Sequence, residues 1–395
     1  MSEPTFLPFA KPVISDEAIQ EVVDCLRSGW ITTGPRVQKF EDMLTEYHKG
    51  RRALCVTSAT AGLQLALQAI GLKEGDEVIT SPMTFVATLN TIVLAGGKPV
   101  LVDIAPNSLN MNVRKLEEAI TPRTKAIMPV HFAGLPVDLD SLYLIARRHN
   151  LRVIEDCAHS IGAEYKGRRL GCFGDIQVMS FHPNKNMTTG EGGAIITMDS
   201  DIIHNIERLR FHGIDRSAFN RFSKSGSQQY DVIMPGYKYN MMDIQAALGI
   251  HQLPALQGFI HKRTQLAERY YELLSDWPEV TLPALPSYDH LHAWHLYTVL
   301  INANAAGIDR DRFINAMKEA NIGVGLHYQS AHVFSWYREH CHWKPEDFPN
   351  ALSVGERICS LPLFPTLTNA QQDQVVMAMS AILRQTDAIR AKGKA

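Results

Sequence analysis

Three stretches of the chain carry side chains suited to one piece of chemistry. Thr57-Ser58-Ala59-Thr60-Ala61-Gly62 is small and hydroxylated and opens an apolar run. A helix start of this kind offers N–H groups and hydroxyls to an anion; on its own it could equally be an ordinary N-cap. The Walker A spacing of a nucleotide-binding loop is absent from it. Asp156 closes the apolar run RVIED. The carboxyl ends of strands are where α/β folds build sites, although an acid there can also cap the next helix. Buried, it needs a cationic partner. Lys185 follows an apolar run, amid Ser180, His182, Asn184, Thr188, Thr189, Gly190 and Glu191. A lone lysine is ordinarily a solvated surface charge, but lysines in desolvated pockets form Schiff bases. Together these are the parts that a pyridoxal phosphate site needs. The helix start holds the phosphate, the acid keeps the ring nitrogen protonated, and the lysine takes the aldehyde.

The elements that must position them alternate from about residue 50 to 215. Helical patterns at 59–72, 84–96, 112–120 and 138–150 separate short apolar strands at 76–80, 98–104, 124–131 and 152–156. Strands 175–182 and 193–197 follow. β-Branched runs without polar alternation are expected of strands covered on both faces. The pattern therefore predicts a helix-flanked, largely parallel α/β sheet. Beyond about 240 a long helical pattern runs to 274 with Pro254 inside it, where a kink or break is expected. Strands at 295–302 and 324–328 and helices at 309–322 and 369–389 make a smaller α+β unit. The division is a large domain, 1–245, whose N-terminal segment contacts a small C-terminal domain, 246–395. No internal repeat is visible.

Composition narrows the class. The 395 residues are 45% hydrophobic with a net charge of −2, which excludes a basic nucleic-acid coat and a polyacidic disordered chain. The N-terminus lacks a signal-peptide core, and no apolar stretch is long enough to span a membrane. The six cysteines form no close pair and read as reduced thiols of a cytoplasmic protein. His340-Cys341-His342 is the densest metal-ligand group. Adjacent residues cannot easily turn onto one ion, so no metal is expected.

Ser180-Phe181-His182-Pro183-Asn184-Lys185, with Thr188-Thr189-Gly190-Glu191-Gly192-Gly193, resembles the DegT/DnrJ/StrS family of sugar-nucleotide aminotransferases. The resemblance extends from Ser28–Pro35 to Ser360–Pro365. Residues 235–240, 292–296 and 323–328 are similar to the branch acting on UDP-4-amino-4-deoxy-L-arabinose with oxoglutarate, whereas Pro183-Asn184 and Thr188–Gly190 follow the general family pattern. The resemblance implies a type I (aspartate-aminotransferase-like) fold and pyridoxal 5'-phosphate as cofactor. The substrates would be L-glutamate and a UDP-linked 4-keto sugar, serving cell-surface polysaccharide or lipid A-type modification. Lys185 would be the Schiff-base lysine and proton shuttle, and Asp156 the partner of the ring nitrogen. Ser58, Ala59, Thr60 and Ser180 would cradle the phosphate, and His159 would lie beside the ring hydroxyl. Phe85 would stack on the ring, where the close branch has Trp. Asn240 would reach the phosphate of the other subunit in a homodimer with shared sites. Trp30, Thr32, His182, Glu191, Lys238, His327 and Tyr328 would line the substrate side. Arg208, Arg210, Arg216, Arg221, Lys224 and Lys238 are candidates for the diphosphate, and the polar segment 214–229 reads as a loop closing over substrate. Neither a nucleic-acid nor a membrane partner is expected. Three rivals remain. A family dehydratase would carry histidine in place of Lys185. A non-catalytic pyridoxal phosphate-binding regulator would carry a basic or helix-turn-helix extension. A nicotinamide dehydrogenase would need GxGxxG.

Overall fold

Short β-branched runs can form a buried sheet only if helices cover both of its faces. The computed structural model, which describes residues 6–215 and 230–384, has that construction. Its first part contains α1 (Asp16–Ser28), α2 (Pro35–Tyr47), β1 (Arg52–Val56), α3 (Ala59–Ala69), β2 (Glu77–Thr80), α4 (Ala87–Leu94) and β3 (Lys98–Leu101). Next come β4 (Thr124–Ile127), α5 (Leu139–Arg148), β5 (Arg152–Cys157), β6 (Glu164–Tyr165), β7 (Arg168–Arg169), β8 (Ile176–Ser180), β9 (Gly193–Thr197) and α6 (Ser200–Leu209). Seven of these strands form one sheet in the order β1-β9-β8-β5-β4-β2-β3. Pairs β2–β3, β2–β4, β4–β5 and β5–β8 are parallel. β9 is antiparallel to both of its neighbours, β1 and β8.

The small α+β unit follows α7 (Asp243–Leu274). It contains β10 (Val280–Thr281), β11 (His290–Leu291), β12 (Tyr297–Ile301), α8 (Ala303–Ala306), α9 (Arg310–Glu319), α10 (Ser335–Cys341), α11 (Pro349–Arg357), β13 (Ile358–Leu361) and α12 (Asn369–Leu383). Its sheet is β10-β12-β13, all antiparallel. α7 belongs to two cores. Ala246, Ile250, Leu253, Leu256 and Ile260 pack with Phe40, Phe181 and Met241. Leu266, Ala267, Tyr270 and Leu274 pack with Tyr297, Phe313 and Val375. Leu7 joins the second core and bridges to Ile322.

Three sequence expectations are corrected, and of the kink or break expected at Pro254 the break does not occur. Residues 112–120 form two 3-10 turns, Val113–Lys115 and Glu117–Ala119, instead of an α-helix. The apolar residues Val113, Leu116 and Ala119 recur every third position, which matches three residues per turn. Residues 324–328 are not a strand, since the segment meets β13 only at the Gly325–Ser360 bridge. α7 continues through Pro254 without a break. Pro254 is on the exposed side, so its ring meets no core atom and the loss is one backbone bond. The ladder of β4 ends at Ile127, before Pro129. The loop expected at 214–229 and the C-terminal end of the helix expected to 389 lie almost wholly outside the described residues. So do Arg216, Arg221 and Lys224.

Candidate active site

The carboxyl edge of the sheet collects the three motifs. β1 ends at Val56, and Ser58 caps α3, its Oγ accepting from the Ala61 N–H at 3.1 Å. Ala59 and Thr60, which open α3 and so carry N–H groups without an intrahelical partner, line a cavity of about 280 Å³. Gly193, opening β9, lets this turn come close. A Cβ there would lie 2.7 Å from the Ala59 nitrogen, the Ser58 carbonyl carbon and the Met179 oxygen.

Asp156, in β5, is buried beneath the same cavity. Among the described residues no basic side chain bonds to it. Instead Thr88, from α4, donates to Oδ2 at 2.8 Å, and the Ala158 N–H donates to Oδ1 at 3.1 Å. Thr84 shares a 2.7 Å bond with the Thr88 hydroxyl. Burial pushes the Asp156 carboxyl up; the Thr88 and Ala158 hydrogen bonds, then the Lys185 charge, pull it back. The cationic partner expected from the sequence is thus missing from the first layer, and a buried acid without one suits a ligand that brings its own N–H⁺.

Lys185 lies on the connection from β8 to β9 and faces the cavity opposite Asp156. Desolvation pushes its amine down to about 8, against the attraction of Asp156. At pH 7 about a tenth of such an amine is neutral, far more than of an unperturbed lysine. His159 accepts from the Ala133 N–H through Nδ1 at 3.3 Å, so its proton sits on Nε2, which meets the Tyr328 hydroxyl at 2.9 Å. Burial, then the Lys185 charge, holds its imidazole well below the usual histidine range.

The cavity is lined by Ser58, Ala59, Thr60, Phe85, Asp156, His159, Ser180, His182, Lys185, Glu191, His327 and Tyr328, all singled out in the sequence. Phe85 is 57% exposed at the rim, its ring centroid 5.9 Å from that of Tyr328. His182 and Glu191 are exposed and 3.9 Å apart. Four predicted residues lie elsewhere. Asn240 donates to Thr33 Oγ1 at 2.5 Å and accepts from Lys238 Nζ at 2.6 Å. The Thr32 carbonyl accepts from the Asp243 N–H, and the Trp30 indole donates to the Thr33 carbonyl. Asp243, at the start of α7, in turn accepts from the Arg36 and Val37 N–H groups that open α2. These residues form one cluster that does not line the cavity of its own chain. Arg210 is committed to Glu41 at 2.5 Å and to the Cys55 carbonyl, so it is not offered to a diphosphate.

Sequence reasoning missed Thr84, Thr88 and His295. The signal for the threonines was a hydroxyl pair four apart at the start of the helical pattern 84–96. His131, Glu155 and Cys157 come within 4.8 Å of one another, but as a bonded network. His131 Nε2 meets Glu155 Oε2 at 2.9 Å, while Tyr143 and Gln177 donate to Glu155 Oε1.

A helix start open to an anion, a buried acid awaiting an N–H⁺ and a low-pKa amine fit pyridoxal phosphate on all three counts. Fold and site define a type I pyridoxal phosphate enzyme. Comparison with known proteins makes this specific. The model of the DegT/DnrJ/EryC1/StrS aminotransferase family matches residues 12–380. Spore coat polysaccharide biosynthesis protein SpsC of Bacillus subtilis strain 168 is 43% identical over 383 residues, 97% of this chain and 98% of that protein. Putative sugar aminotransferase Spr1654 from Streptococcus pneumoniae, solved in its PMP form, is 30% identical, with a TM-score of 0.89 over 96% of this chain and 99% of that one. Its PLP form gives 0.88. Helicobacter pylori PseC, an aminotransferase involved in the biosynthesis of pseudoaminic acid, is 28% identical, with a TM-score of 0.89 over 96% and 100% of the two chains. The chain belongs to the DegT/DnrJ/EryC1/StrS aminotransferase family.

Proposed function

We propose that the chain moves an amino group from L-glutamate onto a keto sugar carried by a nucleotide, with a UDP-linked 4-keto sugar as acceptor and C4 as the carbon aminated. The observation that carries this reading is the convergence of the α3 first turn, Asp156 and Lys185 on one cavity. Spr1654 and PseC, both named as aminotransferases, support a sugar acceptor. The name of SpsC supports a role in surface polysaccharide.

Bound there, pyridoxal phosphate supplies an electron sink that acidifies a carbon–hydrogen bond next to the transferred nitrogen. The chain does the rest. Ser58, Ala59, Thr60 and Ser180 bind the phosphate. Asp156 holds the proton of the ring nitrogen in place. Lys185 would hold the cofactor through its amine and, when that amine is free, would carry a proton to and from the substrate carbon. Phe85 and Tyr328 wall the ring from water. In a cytoplasmic homodimer, Lys238 and Asn240 would face the partner subunit's cavity, where a phosphate could replace their mutual bond.

A visible spectrum and a label test this reading. Protein loaded with pyridoxal phosphate should show a band that L-glutamate bleaches, and borohydride should fix the label on Lys185. Half-reactions with a panel of UDP- and dTDP-keto sugars then identify the acceptor. A colourless protein after loading ends the reading.

A further inference from the structure

His295 stands just before β12, on the small-unit side of the cavity, and is 3% exposed. Its Nε2 lies 3.4 Å from Lys185 Nζ. Its Nδ1 is buried with no hydrogen-bond partner among the described residues. A buried imidazole with an idle nitrogen is a poor packing choice, since an apolar ring of the same shape would leave nothing unpaired.

The backbone around it is pinned. Arg263, buried in α7, donates through Nη1 to the carbonyls of Trp294 at 3.1 Å, His295 at 3.3 Å and Leu363 at 3.0 Å. The Ala293 and Leu296 N–H groups donate to Gly134 and Ala133. Asn186, next to the lysine, donates to the Ala293 carbonyl at 2.6 Å. The imidazole and the amine are therefore fixed relative to each other.

The charged groups that act on His295 are all basic: Lys185, His159, Arg263 and His327. The His159 ring centroid is 4.4 Å away. Among the described residues a positive imidazole has no counter-ion here, and burial together with these neighbours keeps it neutral. With Nε2 directed at an amine that carries protons to donate, the ring proton belongs on Nδ1.

We propose that His295 is the positioning residue for the Lys185 amine: its neutral Nε2 accepts a hydrogen bond from Nζ whenever that amine is not covalently engaged, and so aims it into the cavity. No proton changes hands. The proposal deepens the reading above and rests on Lys185 being the reacting amine.

The test uses capture of pyridoxal phosphate by the full-length apo chain, followed by absorbance across pH. Borohydride labelling in each variant checks independently that Lys185 is the amine; a label elsewhere refutes the proposed function rather than this inference. In His295→Phe the plateau rate of capture at high pH should fall about tenfold through lost aim. The pH midpoint should move down, because an acceptor for the ammonium form is gone. His295→Gln, which keeps an acceptor, should restore most of the plateau. A Phe variant with Lys185 labelled and both quantities unchanged overturns the proposal. Should that variant not fold, ¹⁵N-histidine NMR of the unmodified apo chain decides. His295 should be neutral and protonated on Nδ1, with an Nε2 shift that changes in Lys185→Met. Protonation on Nε2 overturns it.

Discussion

Asp156 and Lys185 show how single groups are tuned. The Asp156 pKa is raised in the fold, so charging it opposes folding above that pKa, and the penalty vanishes below its unfolded value. Thr88 offsets part of the penalty. Thr88→Val should therefore destabilise the apo chain by about 1–2 kcal/mol at pH 7 and by less at pH 4, measured by urea unfolding. The same change should move the acid limb of the glutamate half-reaction to higher pH. Lys185 has the opposite charge and a lowered pKa, so its penalty is full below about 8 and fades as pH rises towards the unfolded value of 10.5. Its side chain is only partly enclosed, so Lys185→Met should stabilise the apo chain by no more than about 1–2 kcal/mol while abolishing the borohydride label. Lys185 and Asp156 were legible in the sequence because their types are unusual after apolar runs. The Thr88–Asp156 bond was not, because it joins residues 68 apart and depends on which face of α4 turns inward.

At the scale of elements, α3 must seat its first turn directly on β9. Gly193→Ala places a methyl group within 2.7 Å of backbone atoms of Ser58, Ala59 and Met179, none of which can swing aside. This substitution should cost about 2 kcal/mol or more and weaken pyridoxal phosphate binding more than it weakens folding, as read by titration and thermal melts. The alternating elements of the large unit were legible, since strands buried on both faces leave unbroken apolar runs. Residues 324–328 misled because Val324, Leu326 and Tyr328 alternate as a strand would. His327 Nδ1 meets Ser360, its ring stacks on Phe9 at 5.0 Å, and Tyr328 bonds His159. Side chains committed to the site on both sides replace the ladder.

At the scale of the molecule, α7 lends one half to each core, so neither unit buries its apolar surface without it. Melting should be a single transition, and limited proteolysis should not release either unit intact. The Asn240–Lys238 cluster makes a further prediction. If Asn240 serves the partner subunit, Lys185→Ala and Asn240→Ala are each inactive alone. Once mixed and reassembled, the two should regain roughly a quarter of full activity, because half the dimers then carry one intact site. No regain would place Asn240 in its own chain's service. The reversal of β9 has a consequence of its own. Had β9 run with its neighbours, a helix would have to carry the chain back to the opposite rim before it could start. Running against β8, it needs only a turn, and everything between Phe181 and Gly192 stays at one rim. The Lys185 amine therefore sits on a tether anchored at both ends to adjacent, hydrogen-bonded strands, which keeps it at the rim of the cavity.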